Sequence, residues 1–265
     1  MKLTYPSGPG SGRFVAIVTG VSRSQGIGAA VTRSLAASGV AVLATGWRPF
    51  DATVITGIDA DAPDHLIDEI KAAGGDGDWI ELDLSDPVVF PTLLDEAERR
   101  FGAVSILVNN AAYSQNDGWQ ALTPELLDAH YRINIRATAL LTVEFARRWP
   151  GGDGGRVINL TSGQFKGPML GEIAYASSKG AVDAMTITMA AELAPLGITV
   201  NAVGPGPTDT GWMTDDLKAE LLPMHPFGRL GAPDDIARLI AFLASEQAQW
   251  VTGQIIHAEG GFLRR

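Results

Sequence analysis

Tyr175 and Lys179 stand four residues apart, and Ser162 lies thirteen residues upstream of the tyrosine. Positions i and i+4 share a helix face, so a phenol and an ammonium at this spacing point into one cavity. A free tyrosine has a pKa of about 10, and lowering it to about 7 takes roughly 4 kcal/mol of preferential stabilisation of the phenolate. A cation about 4 Å away at an intermediate effective dielectric supplies an interaction of roughly that size. Lys179 is therefore expected to make Tyr175 a working proton donor and acceptor, while the Ser162 hydroxyl hydrogen-bonds a carbonyl or alcohol oxygen. That is chemistry for interconverting C=O and CH–OH. The same spacing also occurs on plain helix faces, with a half-buried tyrosine and a solvated lysine, and a serine after a strand also caps turns. Of the four tyrosines, only Tyr175 has a lysine at i+4, so the decision rests on what the rest of the chain places around it.

The elements that must position these groups alternate. Continuous apolar, β-branched runs at 14–19, 40–44, 79–82, 105–108, 156–160, 198–202 and 254–258 read as strands buried on both faces. Helical patterns lie between them at 26–39, 66–73, 93–101, 124–148, 174–194 and 233–245. Strict alternation predicts an α/β fold: one doubly wound parallel sheet, Rossmann-like, with helices on both faces and no linker that would split 13–265.

Composition sets limits. The chain has 265 residues, 46% hydrophobic and 19% charged, enough for one large domain with a substantial core. The absence of cysteine excludes disulfides, thiolate metal sites and a cysteine nucleophile. His65, His130, His225 and His257 match no metal-binding spacing, so no metal is expected. A net charge of −10 argues against nucleic acid or an anionic membrane as partner, and any phosphate site must be built locally. The opening MKLTYPSGPGSGR lacks an apolar h-region and reads as a flexible tail over 1–12, not a signal peptide. No apolar run reaches the length of a membrane span. These readings describe a cytoplasmic protein whose partner is a small molecule.

Thr19-Gly20-Val21-Ser22-Arg23-Ser24-Gln25-Gly26-Ile27-Gly28 joins the first strand to the first helix. Glycines in that context let backbone approach a pyrophosphate, and the helix N-terminus offers free N–H groups to it. With this loop and the Tyr/Ser/Lys set, the chain resembles the short-chain dehydrogenases/reductases in their compact single-domain form, of the 3-oxoacyl reductase kind. The family motif is T-G-x-x-x-G-x-G; here five residues separate Gly20 from Gly26 where the family has three. Asn109-Asn110-Ala111-Ala112 matches the family's N-N-A-G with a terminal alanine, and the end of the chain, from Gly253-Gln254 to Gly260-Gly261, also fits. The match runs over about residues 12 to 263.

The resemblance implies a nicotinamide cofactor held by Gly20, Ser22, Arg23, Gly26, Ile27 and Gly28, by Asp83-Leu84 at the adenine, by Asn110 and Ala111, and by Pro205-Gly206 with Thr208 and Thr210. It implies Tyr175 as general acid/base, Lys179 tuning it and binding the nicotinamide ribose, and Ser162 polarising the substrate oxygen. Asn134, in a helix distortion, would hold a water that relays protons. Thr45 occupies the position where an acid would accept the ribose 2′-OH of NAD. Its lack of charge, with Arg48 and Arg23 nearby, favours NADP(H); Asp51, 23 residues beyond Gly28, leaves NAD(H) open. Tyr113, Gln164, Phe165, Met169, Trp212 and Met213 are expected to line a mainly apolar substrate pocket, with 208–227 as a mobile lid. Family analogy implies a homodimer or homotetramer.

Three other readings compete. An epimerase or dehydratase of the extended branch usually carries an added C-terminal domain, for which 265 residues leave no room. A non-catalytic NADP(H)-binding sensor or scaffold is favoured only where Tyr175, Lys179 or Ser162 is missing. A serine hydrolase needs the G-x-S-x-G elbow, which Ser162 lacks.

Overall fold

The computed structural model describes residues 3–5, 14–54 and 60–264. Its strands are β1 (Val15–Thr19), β2 (Ala41–Gly46), β3 (Gly77–Glu81), β4 (Ile106–Asn109), β5 (Gly155–Leu160), β6 (Ile198–Gly204) and β7 (Ile255–His257). They form one sheet in the order β3-β2-β1-β4-β5-β6-β7, with every pairing parallel. The expected doubly wound parallel sheet is the fold observed.

Among the described residues the α-helices are α1 (Ile27–Ala37), α2 (Arg48–Val54), α3 (Ala62–Ala72), α4 (Val89–Phe101), α5 (Pro124–His130), α6 (Thr138–Arg148), α7 (Ile173–Leu193), α8 (Asp215–Leu221) and α9 (Pro233–Ala244). The unbroken apolar strand runs have a simple cause. Ala16 and Val18 of β1 feed one core with α1, α3 and α9, while Val15 and Ile17 feed the other with α4, α6 and α7. A strand covered on both sides has no face left for polar residues.

Three departures from expectation appear. The helix expected over 124–148 is interrupted: a π-helical segment, Tyr131–Ala137, joins α5 to α6. Two short helices, α2 and α8, occupy stretches that read as loop; α8 starts where Thr214 Oγ1 accepts from Leu217 N at 3.2 Å, a local cap that the apolar pattern does not display. Residues 3–5, inside the expected tail, are docked. Tyr5 is 1% exposed with its ring 6.1 Å from Phe14, and Thr4 O accepts from Glu246 N at 2.7 Å. The rest of that tail lies outside the described residues. No helix among the described residues is long and apolar enough to cross a membrane.

Candidate active site

The chain leaves β1 toward β2 and leaves β4 toward β5, so the two halves of the sheet diverge between β1 and β4. A crevice opens there, at the carboxyl ends of the strands, the place where open parallel sheets bind ligands. The glycine loop follows β1, the Asn110 segment follows β4, and Ser162 follows β5. Tyr175 and Lys179 enter on the first two turns of α7.

The N-terminus of α7 is fixed from a distance: Asp117, after β4, accepts from Ile173 N at 2.6 Å and from Ala174 N at 2.7 Å. Burial raises the Asp117 carboxyl, but these backbone donors outweigh it and hold the group below its usual range. A negative charge on the first turn's free N–H groups also suits the helix dipole. Behind this anchor, Lys179 is 3% exposed and donates to Leu160 O at 2.8 Å, with its Nζ 5.6 Å from the centre of the Tyr175 ring. Ser162 lies close enough to the phenol to favour its ionised form. The three residues singled out by spacing therefore come together.

Their charge states differ from expectation. Desolvation pushes the Tyr175 phenol up to about 12; nearby Glu172 adds to the rise, and Ser162 opposes it. Burial likewise draws the Lys179 ammonium down to about 8, against the attraction of Asp183. The lysine was expected to depress the tyrosine. Here its ammonium is turned to a carbonyl, and removal from water is the largest influence on both groups.

Asn134 lies in the π-helical segment and is 1% exposed. The helix distortion implied by the resemblance is thus present, but the side chain is fully engaged. Its Oδ1 accepts from Tyr113 N at 2.7 Å, and its Nδ2 donates to Tyr113 O and Ser178 Oγ, both at 2.9 Å. The amide clamps the loop after β4 onto α7, with both Nδ2 hydrogens used in doing so.

At the phosphate end the glycines are structurally required. Gly20 has φ +74°, and a Cβ there would stand 2.7 Å from Ala111 Cα; one at Gly28 would meet Asn110 Nδ2 at 2.7 Å. The Asn110 side chain donates to Thr19 O and Gly20 O at 2.8 and 3.0 Å, and Ala111 N donates to Thr19 Oγ1 at 3.0 Å. The α1 N-terminus carries no side-chain cap at Gly26, and its first-turn N–H groups suit a pyrophosphate. Ile27 is half-buried, Gly26 is buried, and Arg23 Nη1 reaches Thr210 O at 3.5 Å. Asp83 is occupied by Ser85, at 2.8 and 2.9 Å. The Leu84 side chain packs in the core. Thr208 Oγ1 donates to Pro205 O at 3.1 Å and ties down the Pro205-Gly206 turn.

The ribose end differs most from the linear reading. Thr45 is fully buried, and β2 runs on to Gly46, where a Cβ would stand 3.0 Å from Ser22 Cβ. Arg48 forks onto Glu81 at 3.0 and 2.9 Å and lies 4.9 Å above Trp79. Asp51 accepts from Ser22 Oγ and lies 3.6 Å from Arg23 Nε. Both arginines thus already hold a carboxylate.

The expected substrate residues divide. Tyr113 lies 4.8 Å from His130, which lies 6.3 Å from Tyr175. Trp212 and Phe165 are 53% and 73% exposed, whereas Met213 is buried and Met169 half-buried. Gln164 is turned inward, donating to Asp183 Oδ2 at 2.5 Å and Thr161 Oγ1 at 3.3 Å. Spacing missed four groups. Asp117 and Glu172 flank the α7 N-terminus, and Asp183 lies one turn beyond Lys179, at an i+4 spacing that was readable. His130 is fully buried, with Nδ1 on Leu126 O at 2.8 Å and Nε2 accepting from Gln115 N at 3.4 Å, which assigns the neutral Nδ1–H tautomer.

A family profile described as enoyl-(acyl carrier protein) reductase matches residues 20–263. An oxidoreductase of Bacillus subtilis, YjdA, is 47% identical over 94% of this chain and 97% of its own length. A chloroplastic NADPH-dependent aldehyde reductase-like protein of Arabidopsis thaliana is 36% identical over 99% and 98%. Among solved structures, a short-chain dehydrogenase/reductase of Serratia marcescens superimposes with a TM-score of 0.84 at 33% identity, over 98% of this chain and all of that one.

Proposed function

The chain belongs to the short-chain dehydrogenase/reductase family of NAD(P)-dependent oxidoreductases, and we propose that it reduces a ketone to a secondary alcohol with Tyr175 as the general acid. The observation that carries this reading is the meeting of Tyr175, Ser162 and Lys179 beside the glycine loop. When bound, the nicotinamide cofactor supplies the hydride.

The protein's part is position and proton supply. Ser162 and Tyr175 both offer hydroxyls to the substrate oxygen, and the phenol delivers its proton as negative charge develops there. A phenol near 12 stays protonated across the physiological range, which is the state that reduction needs. The reverse reaction requires the phenolate and is disfavoured by the same desolvation. Lys179, charged below about 8, opposes the negative charge left on the phenol. Asn134 and His130 hold the Tyr113 side of the crevice, while the 208–227 segment acts as the lid.

Gly20, Ser22, Gly26, Ile27 and Gly28 would hold the pyrophosphate, with Asn110, Ala111, Pro205, Gly206, Thr208 and Thr210 toward the nicotinamide. NADP(H) is the favoured cofactor: β2 ends without an acid, two guanidiniums flank its end, and one relative is named as NADPH-dependent. Apolar Trp212, Met213 and Phe165 suit a hydrophobic ketone or a 3-oxoacyl thioester. The run from α5 through the π-helical segment and α6, with α7 beside it, exposes Leu127, Tyr131, Leu140 and Ile187, which supports a homo-oligomer. The test is fluorescence titration with NADPH and with NADH, followed by a ketone and 3-oxoacyl screen. Saturable binding, tighter for NADPH, and turnover are expected; failure to bind either nucleotide overturns the activity.

A further inference from the structure

The last described residues of the chain touch three parts of the site at once. Glu259 packs on Gly206, where a Cβ would stand 2.8 Å from the Glu259 Cγ. Its carboxylate meets His257 Nδ1 at 2.9 Å and the Arg264 guanidinium. Arg264 then runs across the loop that carries Ser162. A Cβ at Gly163 would overlap the guanidinium, and one at Gly167 would stand 3.2 Å from Arg264 Cδ. On the opposite side the same stretch holds the 208–227 segment. Leu263 N donates to Met224 O at 2.8 Å, Phe262 lies 4.8 Å from the His225 ring, and a Cβ at Gly260 would stand 3.2 Å from Phe227. Arg264 also lies 5.1 Å above Phe262, which joins the two sides.

We infer that Glu259–Arg264 is a strap that couples the lid segment to the loop bearing Ser162, with Arg264 as the positioning residue. Gly163, Gly167 and Gly206 each present bare backbone to the strap, so strap side chains fill the space that local side chains would otherwise take. The Glu259–Arg264 pair is largely shielded from water, with side chains 8% and 21% exposed, so screening weakens it little. Any shift of 208–227 that drags Phe262 moves Arg264, and with it the backbone next to Ser162. Displacements of about 1 Å in such supporting shells cost up to about 10²-fold in rate.

For its kinetic consequence the inference rests on the ketone-reductase reading; its structural consequence does not. The experiment is hydrogen exchange on the full chain, unmodified and with Arg264→Ala, followed by steady-state kinetics and NADPH titration. Faster exchange is expected in peptides spanning both 160–170 and 208–227, with kcat down between about 10-fold and 100-fold and NADPH affinity within about twofold. Glu259→Gln, which frees the same guanidinium, reproduces the change, and Arg264→Lys restores part of it. Phe262→Ala loosens only the lid end and raises the KM for ketone more than it lowers kcat. Unchanged exchange at 160–170 in Arg264→Ala overturns the strap whatever the turnover. Unchanged kcat with raised exchange overturns the positioning role. An unmodified protein that binds NADPH but reduces no ketone defeats the activity instead, and leaves the exchange result to judge the strap.

Discussion

At the carboxyl end of β5, Lys179 is 3% exposed and its ammonium is held by a main-chain carbonyl. At the end of β2, Arg48 has a side chain 33% exposed and grips a Glu81 that is 29% exposed. Only the first of these two cations is governed by desolvation. Burial draws Lys179 down to about 8, whereas the Glu81 hydrogen bond raises Arg48. Exposed ion pairs contribute about 0–1 kcal/mol and open readily. On the function proposed above, the β5 end is the rigid, proton-handling one, and the β2 end is an exchangeable one, where a bound phosphate would displace a carboxylate from a guanidinium.

The largest expected effect falls on the rigid end. Tyr175→Phe removes the proton donor and should lower kcat by about 10²–10⁴, with NADPH affinity unchanged by fluorescence; near-parental turnover would remove the tyrosine from the mechanism. Next comes pH. Reduction should be fastest below about 8 and slow as pH rises through the Lys179 titration, an inflection absent in Lys179→Met.

The same group carries a stability signature. Its folded pKa, about 8, lies below the ordinary 10.5. Between those values the unfolded chain holds the proton and the folded one does not, so stability rises with pH across this window. Denaturant titrations at pH 8 and pH 10 should show the unmodified protein gaining on Lys179→Met; an equal difference at both pH values argues against a desolvated lysine. Asp117→Ala, which strips the α7 cap, should cost about 1 kcal/mol and tenfold or less in kcat.

Effects at the exchangeable end should be smaller and selective. Arg48→Ala is expected to weaken NADPH by about tenfold and leave NADH nearly untouched, in keeping with about 1.5 kcal/mol for one charge-assisted contact. Equal losses for both nucleotides would place Arg48 away from the 2′ position. Glu81→Gln, which frees Arg48 without removing it, should tighten NADPH by about threefold or less.

Much of this site was legible along the chain. Tyr175 and Lys179 come together because a helix repeats every 3.6 residues, and Ser162 joins them because β5 delivers it to the crevice. Glycines at 20 and 28 were legible because a strand–turn–helix junction with bare backbone has few other uses. Asp117 was not, since it caps a helix 56 residues further on. The same holds for Arg48, whose partner Glu81 sits 33 residues away on β3. The two helices that escaped notice, α2 and α8, are too short to display a period.

Periodicity and order along the chain thus determined the doubly wound sheet and the meeting of Tyr175, Lys179 and Ser162, because both follow from repeats of two to four residues and from the alternation of elements. Three dimensions settled the rest: the high phenol and low ammonium, the engaged Asn134 amide, the carboxylates already on Arg23 and Arg48, and the strap across Gly163 and Gly206. Each depends on how far a group is withdrawn from water, or on which distant segment lies against it, and neither quantity is written in local spacing.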